Sequence, residues 1–223
     1  MYKRQEYITT GILPNYLAGM AELVDAPDSK SGGVKPVRVR VSLPADKIIM
    51  KYCNQCGNDL EFKIPKGDNR NRYICTVCGY IHYENPKIVV GTVPMLGNSV
   101  MLCLRGIEPR MNFWTLPAGF LENGESMAQG AKRECEEEAL ITPNVQSMIA
   151  VVDVVHAEQV HVFYRATIDD DSFGAGEESL DVRLYGLDEI PWDLIAFETV
   201  KIALNAQIEK DPNDESPIYQ TIQ

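Results

Sequence analysis

The stretch that most constrains the fold of this chain is residues 119–141, which read GFLENGESMAQGAKRECEEEALI. It predicts a turn followed by a helix, on which Glu134, Glu137 and Glu138 occupy positions i, i+3 and i+4 of one face. Carboxylates placed so closely repel one another, and their oxygens suit a hard cation such as Mg²⁺ or Mn²⁺. The alternative is an acidic, solvated helix face that binds nothing.

The opposite face of the predicted helix is apolar. Small or apolar residues recur there at every fourth position, at Met127, Ala131, Cys135 and Ala139. Ser126 precedes the helix and Gln129 follows three residues later, which is the pattern of a capping box. The helix therefore has one face for a core and one for a metal site.

The spacing around the glutamates is a stronger signal than the glutamates alone. Five residues separate Gly119 from Glu125, and seven separate Glu125 from Arg133. Arg133 directly precedes Glu134, the first of the three glutamates. This order resembles the signature of the Nudix hydrolases, GX5EX7REUXEEXGU, in which U is aliphatic. Cys135 stands where an aliphatic residue is usual, and Leu140 replaces the last glycine, which normally forms a left-handed helix C-cap. Neither departure removes a carboxylate, so we expect metal binding to survive.

The resemblance implies a role for each matched residue. These roles are metal binding by Glu134, Glu137 and Glu138, orientation of these ligands by Arg133, support of the ligands or of metal-bound water by Glu125, and the turn at Gly119. The general base is open between Asp181, which aligns with a strand residue of ribbon-bearing relatives, and Glu178, in the preceding loop. Ribbon-bearing relatives carry an acidic residue in that strand, where this chain has aspartate in place of glutamate. The shorter aspartate moves the carboxylate by about one C–C bond, and catalytic geometry is sensitive to shifts of about 1 Å. Asp181 and Glu178 are therefore both candidates for the base.

Four of the six cysteines form two CxxC pairs, Cys53 with Cys56 and Cys75 with Cys78. Two such pairs about twenty residues apart are typical of a four-thiolate zinc site, and the segments between them alternate like a hairpin. Residues 50–84 are therefore predicted to be a zinc ribbon that the metal stabilises. The alternative is four reduced, inert cysteines.

The remaining segments alternate predicted strands with one more helix. The predicted strands are residues 88–96, 99–105, 149–155, 160–168 and 182–191, and the second helix is residues 192–210. This order predicts an α/β fold, in which a mixed sheet lies between helices and is preceded by the small ribbon. The Nudix resemblance implies the same sandwich over residues 85–210, and residues 211–223 are expected to be a flexible tail.

Residues 1–49 look unlike the rest of the chain. Their segment MAELVDAPDSKSGG resembles the product of a leucine transfer-RNA gene translated by mistake. We therefore interpret residues 1–49 as a spurious extension, with Met50 as the start, and the alternative is a genuine disordered or targeting extension.

Composition limits the partners of this protein. The chain carries 21 Lys and Arg against 32 Asp and Glu, a formal net charge of -11. Such a charge disfavours nonspecific binding to nucleic acid or to anionic membranes. No apolar run approaches the roughly eighteen residues of a membrane helix, and the first residues lack a secretory signal. We expect a cytoplasmic protein with no membrane or nucleic-acid partner. The sequence is compatible with a homodimer.

With ribbon and signature together, the chain resembles the Nudix hydrolases that carry an amino-terminal zinc ribbon, which include FAD and ADP-ribose pyrophosphatases. The matching segments include YCNQCG, FWTLPAGFLENGES and IAFETV. This resemblance implies metal-dependent hydrolysis of a dinucleotide or nucleotide sugar, with FAD (to FMN and AMP) or ADP-ribose as substrate. NADH pyrophosphatases carry an SQPWPFPxS run that is absent here. NADH is therefore less favoured than FAD or ADP-ribose, and NADH pyrophosphatase activity is the alternative. A second alternative is a nucleotide-sensing regulator without catalysis. Aromatic residues that could stack a base, or equally lie in the core, are Phe113, Trp114 and Phe163.

Overall fold

The computed structural model describes residues 50–211 and 213–223, so the interpretation of residues 1–49 lies outside the described part of the chain. Its strands are β1 (Leu60–Lys63), β2 (Arg72–Cys75), β3 (Ile81–His82), β4 (Lys87–Leu96), β5 (Ser99–Arg105), β6 (Trp114–Thr115), β7 (Ala118–Phe120), β8 (Asn144–Val154), β9 (Gln159–Thr167), β10 (Ser179–Gly186) and β11 (Ile218–Ile222). Its helices are α1 (Met127–Ala139) and α2 (Glu198–Glu209).

The first three strands form a separate small antiparallel sheet in the order β1-β2-β3. Leu60 pairs with Cys75 and Lys63 pairs with Arg72, so the predicted hairpin between the two CxxC pairs is confirmed. Gly57 and Gly79, one residue after each pair, have φ of 73° and 74°, a conformation that glycine adopts at no steric cost.

The main sheet has the order β10-β5-β4-β9-β8-β11, with β6 beside β5 and β7 beside β4. It is mixed, because β4 runs parallel to β9 and β11 parallel to β8, whereas the remaining pairs are antiparallel. The predicted hairpin across Gly97-Asn98 is present, since Leu96 pairs with Ser99.

The two helices cover opposite faces of this sheet. Val162 and Tyr164 of β9 pack in one cluster with Ala131 of α1, whereas Phe163 between them packs in another with Ala203 of α2. Successive side chains of a strand point to opposite faces, so α1 and α2 lie on different sides. The predicted α/β/α sandwich with a mixed sheet is confirmed.

Helix α1 begins with the predicted capping box. The Gln129 N–H donates to Ser126 Oγ at 3.3 Å, and the Ser126 N–H donates to Gln129 Oε1 at 2.8 Å. At the other end Leu140 adopts the left-handed conformation, with φ 53° and ψ 30°. The helix exit thus keeps the backbone that the signature's glycine would supply, but with a side chain that this conformation disfavours.

The start of the second helix differs from the prediction. Residues Trp192–Leu194 form a 3-10 turn and Phe197 is extended, so α2 begins only at Glu198. The reason is pairing with β6: the Ala196 N–H donates to the Trp114 carbonyl at 2.8 Å, which holds this segment in strand-like geometry.

The end of the chain also differs from the expected flexible tail. Ile218–Ile222 form β11, which pairs in parallel with Ala150–Val154 of β8. The β-branched and aromatic residues Ile218, Tyr219, Thr221 and Ile222 favour a strand, but the strand that they pair with, β8, lies far away in sequence. In the part of the chain that the structure describes, neither helix is long and apolar enough to span a bilayer.

Candidate active site

Two of the three signature glutamates, Glu134 and Glu138, lie against residues 118–119 before α1. Glu134 and Glu138 are buried, whereas the Glu137 side chain is 60% exposed. Glu138 Oε2 accepts a hydrogen bond from the Ala118 N–H at 3.3 Å. A Cβ atom at Gly119 would overlap the Glu134 carboxylate, so glycine is required here for close approach rather than for an unusual φ.

Arg133 ties this carboxylate cluster together. It donates to both oxygens of Glu125 (3.1 and 2.8 Å), to Glu134 Oε1 (2.7 Å) and to Glu137 Oε2 (2.9 Å). Its remaining contact is with the Phe120 carbonyl at 3.0 Å. The planar fork of arginine suits such a set of acceptors. The roles proposed for Arg133 and Glu125 therefore have a geometric basis.

Burial makes two of these carboxylates reluctant to ionise without a cation. Desolvation, followed by repulsion from Glu134, raises the pKa of Glu138 to about 8. Desolvation also raises the pKa of Glu134, although Arg133 opposes the shift. In contrast, hydrogen bonds from Arg133 and then from the Glu122 N–H lower the pKa of Glu125 to about 2. A bound divalent cation would stabilise the ionised form of both Glu134 and Glu138 and so lower their pKa values.

The two candidate bases lie in different surroundings. Glu178 lines the same cleft as the three glutamates, and its charge raises the pKa of Glu134 and Glu138. Asp181 does not line the cleft, and its Oδ2 accepts from Arg183 Nε at 2.7 Å and Nη2 at 2.6 Å. A register irregularity between Ser179 and Asp181 separates the two surroundings.

Two glycines anchor the loop that carries Glu178. The Gly174 N–H donates to the Ala139 carbonyl and the Gly176 N–H to the Glu138 carbonyl, both at 3.0 Å, which satisfies carbonyls at the end of α1. The Glu178 carbonyl accepts from the Gly106 N–H at 2.8 Å. A Cβ atom at Gly176 would overlap the Glu137 carbonyl. The loop is thus fixed against the metal-binding helix.

A cleft of about 1120 Å³ extends from these carboxylates. The additional residues that line it were not among the sequence-predicted site residues, and they include Arg105, Arg110, Phe120, Gln159, His161, Phe197 and Thr199. The Arg105 guanidinium lies 5.1 Å from the Phe197 ring centroid, and Phe120 is 47% exposed. A signal for some of them was present: Gln159 and His161 are polar residues at alternate positions at the start of a strand, on either side of the apolar Val160.

The aromatic residues considered for stacking lie elsewhere. Trp114 and Phe163 are buried in the core beneath α2, and Phe113 packs against Arg110 with a distance of 5.5 Å between the guanidinium and the ring. None of the three lines the cleft.

The four ribbon cysteines converge as predicted. Their sulfur atoms lie within 4.8 Å of one another, with Cys53 to Cys78 at 3.7 Å and Cys56 to Cys75 at 3.4 Å. A tetrahedron with zinc–sulfur bonds of about 2.3 Å places sulfurs about 3.8 Å apart, so the cluster fits zinc. Hydrogen bonds from the Asn58 side chain and then its backbone lower the pKa of Cys56 to about 6, which favours the thiolate ligand.

Comparison with known proteins assigns the family. Residues 51–84 match the family described as Nudix N-terminal, and residues 85–203 match the NUDIX domain. The chain belongs to the Nudix family. A solved NUDIX hydrolase from Nitrosomonas europaea is 43% identical and superposes with a TM-score of 0.74 over 78% of this chain and 99% of that one. The predicted enzyme class, a Nudix pyrophosphohydrolase, is confirmed.

Two curated relatives are enzymes that act on nucleotide derivatives. An ADP-ribose pyrophosphatase from Methanocaldococcus jannaschii is 24% identical over 127 residues, which cover 55% of this Nudix chain and 74% of the relative. The NAD-capped RNA hydrolase NudC from Haemophilus influenzae is 32% identical over 96 residues, which cover 41% of this chain and 34% of the relative.

Proposed function

We propose that this Nudix hydrolase cleaves the pyrophosphate bond of a nucleoside diphosphate derivative, with ADP-ribose or FAD as substrate. The observation that carries this proposal is that Glu134, Glu137 and Glu138 all line one end of the same large cleft. The chemistry of this donor set fits Mg²⁺ or Mn²⁺, because all ligand atoms are carboxylate oxygens and two of the carboxylates are poorly solvated.

The site residues have two roles, which are to bind and orient the divalent ions and to accept a proton from water. When bound, divalent ions neutralise pyrophosphate oxygens and lower the pKa of attacking water. Arg133 fixes the orientation of Glu134 and Glu137. Glu178 accepts the proton of the attacking water. It lines the cleft, and among the described residues no arginine contacts its carboxylate, whereas Arg183 contacts that of Asp181.

The substrate is inferred from the rest of the cleft. A volume of about 1120 Å³ accommodates a dinucleotide, and typical small-ligand sites are about 300–1,000 Å³. Arg105 and Arg110 offset the acidic wall where a diphosphate would pass. The Methanocaldococcus relative is an ADP-ribose pyrophosphatase, which favours ADP-ribose, and the ribbon-bearing resemblance favours FAD.

The proposal is tested with a substrate panel. ADP-ribose, FAD, NADH and diadenosine polyphosphates are incubated with Mg²⁺ or Mn²⁺, and the products are separated by chromatography. We expect AMP from ADP-ribose, or FMN plus AMP from FAD. Glu138→Gln should abolish the reaction. Glu136→Gln is the matched control on the same helix, because Glu136 instead contacts Lys132 and Thr142.

Other outcomes of this panel would overturn the proposal. Cleavage of NADH alone would assign the NADH pyrophosphatase alternative. Tight binding of a dinucleotide without cleavage of any would assign the sensor alternative.

Zinc is the second proposed metal. We propose that Cys53, Cys56, Cys75 and Cys78 hold one structural Zn²⁺, because their sulfur spacing matches a tetrahedral site. A ribbon of about thirty-five residues has too little core to fold without such support.

A further inference from the structure

A polar chain crosses the floor of the cleft away from the glutamates. His161 Nε2 lies 2.8 Å from Gln159 Oε1, and His161 Nδ1 lies 3.1 Å from Thr199 Oγ1. Gln159 and His161 come from β9, whereas Thr199 is in the first turn of α2 and is buried. All three line the cleft, and none of them has a role in the metal chemistry.

The direction of these hydrogen bonds follows from the charge of the ring. Desolvation lowers the pKa of His161 to about 4, so the imidazole is neutral at pH 7 and carries one N–H. The Gln159 carbonyl oxygen can only accept, so His161 Nε2 carries the proton and Nδ1 accepts from the Thr199 hydroxyl. Within the described residues the Gln159 amide nitrogen has no hydrogen-bond partner. Its two N–H groups are therefore available to a ligand in the cleft.

The surroundings of Gln159 suit a flat, largely apolar group. Val154 and Ile222 stand in the same cross-strand row as Gln159, and Val89 and the half-exposed Phe120 stand in the row of His161. These four side chains also line the cleft. An aromatic ring could lie on this floor with its edge toward the amide.

The separation from the metal end fits one nucleoside. Gly119 pairs with Val90 and Val90 with Val162, which places Gly119 two strands away from β9 and three residues along from Gln159. With strands about 4.8 Å apart and a rise of about 3.3 Å per residue, each offset is roughly 10 Å. A diphosphate at the glutamates would therefore send its ribose toward this floor, with the far edge of the base nearest to Gln159.

We propose that Gln159 is a specificity-determining residue that donates a hydrogen bond to N1 of an adenine base, and that His161 and Thr199 are positioning residues that hold its amide. This inference rests on the proposed function, and it names the base that the same cleft reads. Adenine N1 is an acceptor on the edge away from the ribose, so it matches both the donor and the distance. Both ADP-ribose and FAD carry this base.

The test compares ADP-ribose with its 1-deaza analogue, in which carbon replaces adenine N1. We expect the wild-type enzyme to prefer ADP-ribose roughly tenfold in kcat/KM, through KM, as one hydrogen bond implies. Gln159→Leu should remove the preference. Thr199→Val, which keeps the shape of a buried side chain, should reduce it. Gln220→Leu changes an exposed glutamine on β11, two strands away from β9, and should leave the tenfold ratio unchanged.

A ratio between two substrates is insensitive to a general loss of folded enzyme, so it separates recognition from stability. A wild-type ratio near one, or an unchanged ratio in Gln159→Leu, would overturn the inference while leaving the proposed function intact. Calorimetric binding of AMP and 1-deaza-AMP asks the same question without turnover. If no dinucleotide is cleaved but AMP still binds about tenfold tighter than 1-deaza-AMP, the proposed function fails and the adenine subsite stands.

Discussion

Arg133 donates two nearly parallel hydrogen bonds to Glu125, from Nε to Oε2 at 3.1 Å and from Nη2 to Oε1 at 2.8 Å. Eight residues separate the two in sequence, so this pair ties the turn before α1 to the middle of the helix. Because the same guanidinium also holds Glu134 and Glu137, the position of the metal ligands depends on a residue that need not touch metal.

Replacing Arg133 with lysine should therefore lower activity although the charge is kept. An ammonium cannot serve Glu125 in bidentate fashion and two further carboxylates at once. We expect kcat to fall roughly 10- to 100-fold, as is usual when groups that orient metal ligands are lost. Steady-state kinetics measure this change, and Lys132→Arg, at the adjacent position, is the charge-conserving control. Equal activity in both variants would contradict the positioning role.

Glu178 and Asp181 should separate clearly as candidate bases. Glu178→Gln removes a carboxylate that faces the cleft, and we expect kcat to fall by at least about 100-fold. Asp181→Asn changes a group held by Arg183, so activity should stay within about threefold of wild type. The reverse pattern would assign the base to Asp181.

Metal binding should strengthen as pH rises toward 8. The pKa of Glu138 is raised to about 8 in the folded, metal-free protein, above its ordinary value of 4.5. Its protonated form therefore stabilises the fold fully below about pH 4.5, and this contribution is lost as pH rises through about 8. A metal ion replaces that proton. The increase in melting temperature caused by Mn²⁺ should thus be larger at pH 8 than at pH 6, and Glu138→Gln should flatten the difference.

Leu140 offers a stabilising substitution. Its left-handed backbone disfavours any side chain with a Cβ atom, and the side chain is mostly exposed. Leu140→Gly should raise the free energy of unfolding by about 1 kcal/mol. Leu140→Ala keeps the Cβ atom and serves as the control, which should not be stabilised. Chemical denaturation of the three proteins measures both changes, and a destabilised glycine variant would show that packing of Leu140 outweighs its backbone.

Zinc content should depend on the ribbon cysteines alone. Cys56→Ser should reduce bound zinc from one ion to none per chain and unfold the ribbon, as measured by elemental analysis and by amide exchange. Cys103→Ala alters a buried cysteine of the main core instead. It should keep one zinc ion per chain, and zinc loss in that variant would contradict the assignment.

The sequence by itself determined the parts of this protein that depend on local spacing. The period of a helix brings Glu134, Glu137 and Glu138 onto one face wherever the helix lies. Ser126 and Gln129 cap that helix through contacts only three residues long. The same holds for each CxxC pair, because only two residues separate its cysteines and the short chain keeps their sulfur atoms close. Alternation of apolar residues then sufficed for the sandwich.

Only the tertiary structure decided which distant residues share the cleft. The backbone irregularity between Ser179 and Asp181 decides which carboxylate faces the glutamates, and such irregularities arise from pairing with another strand. Phe197 turns toward the cleft because its segment pairs with β6, against a helical pattern in sequence. Thr199 meets His161 across 38 residues of chain. Contacts of this kind depend on strand register and packing, which local patterns do not encode.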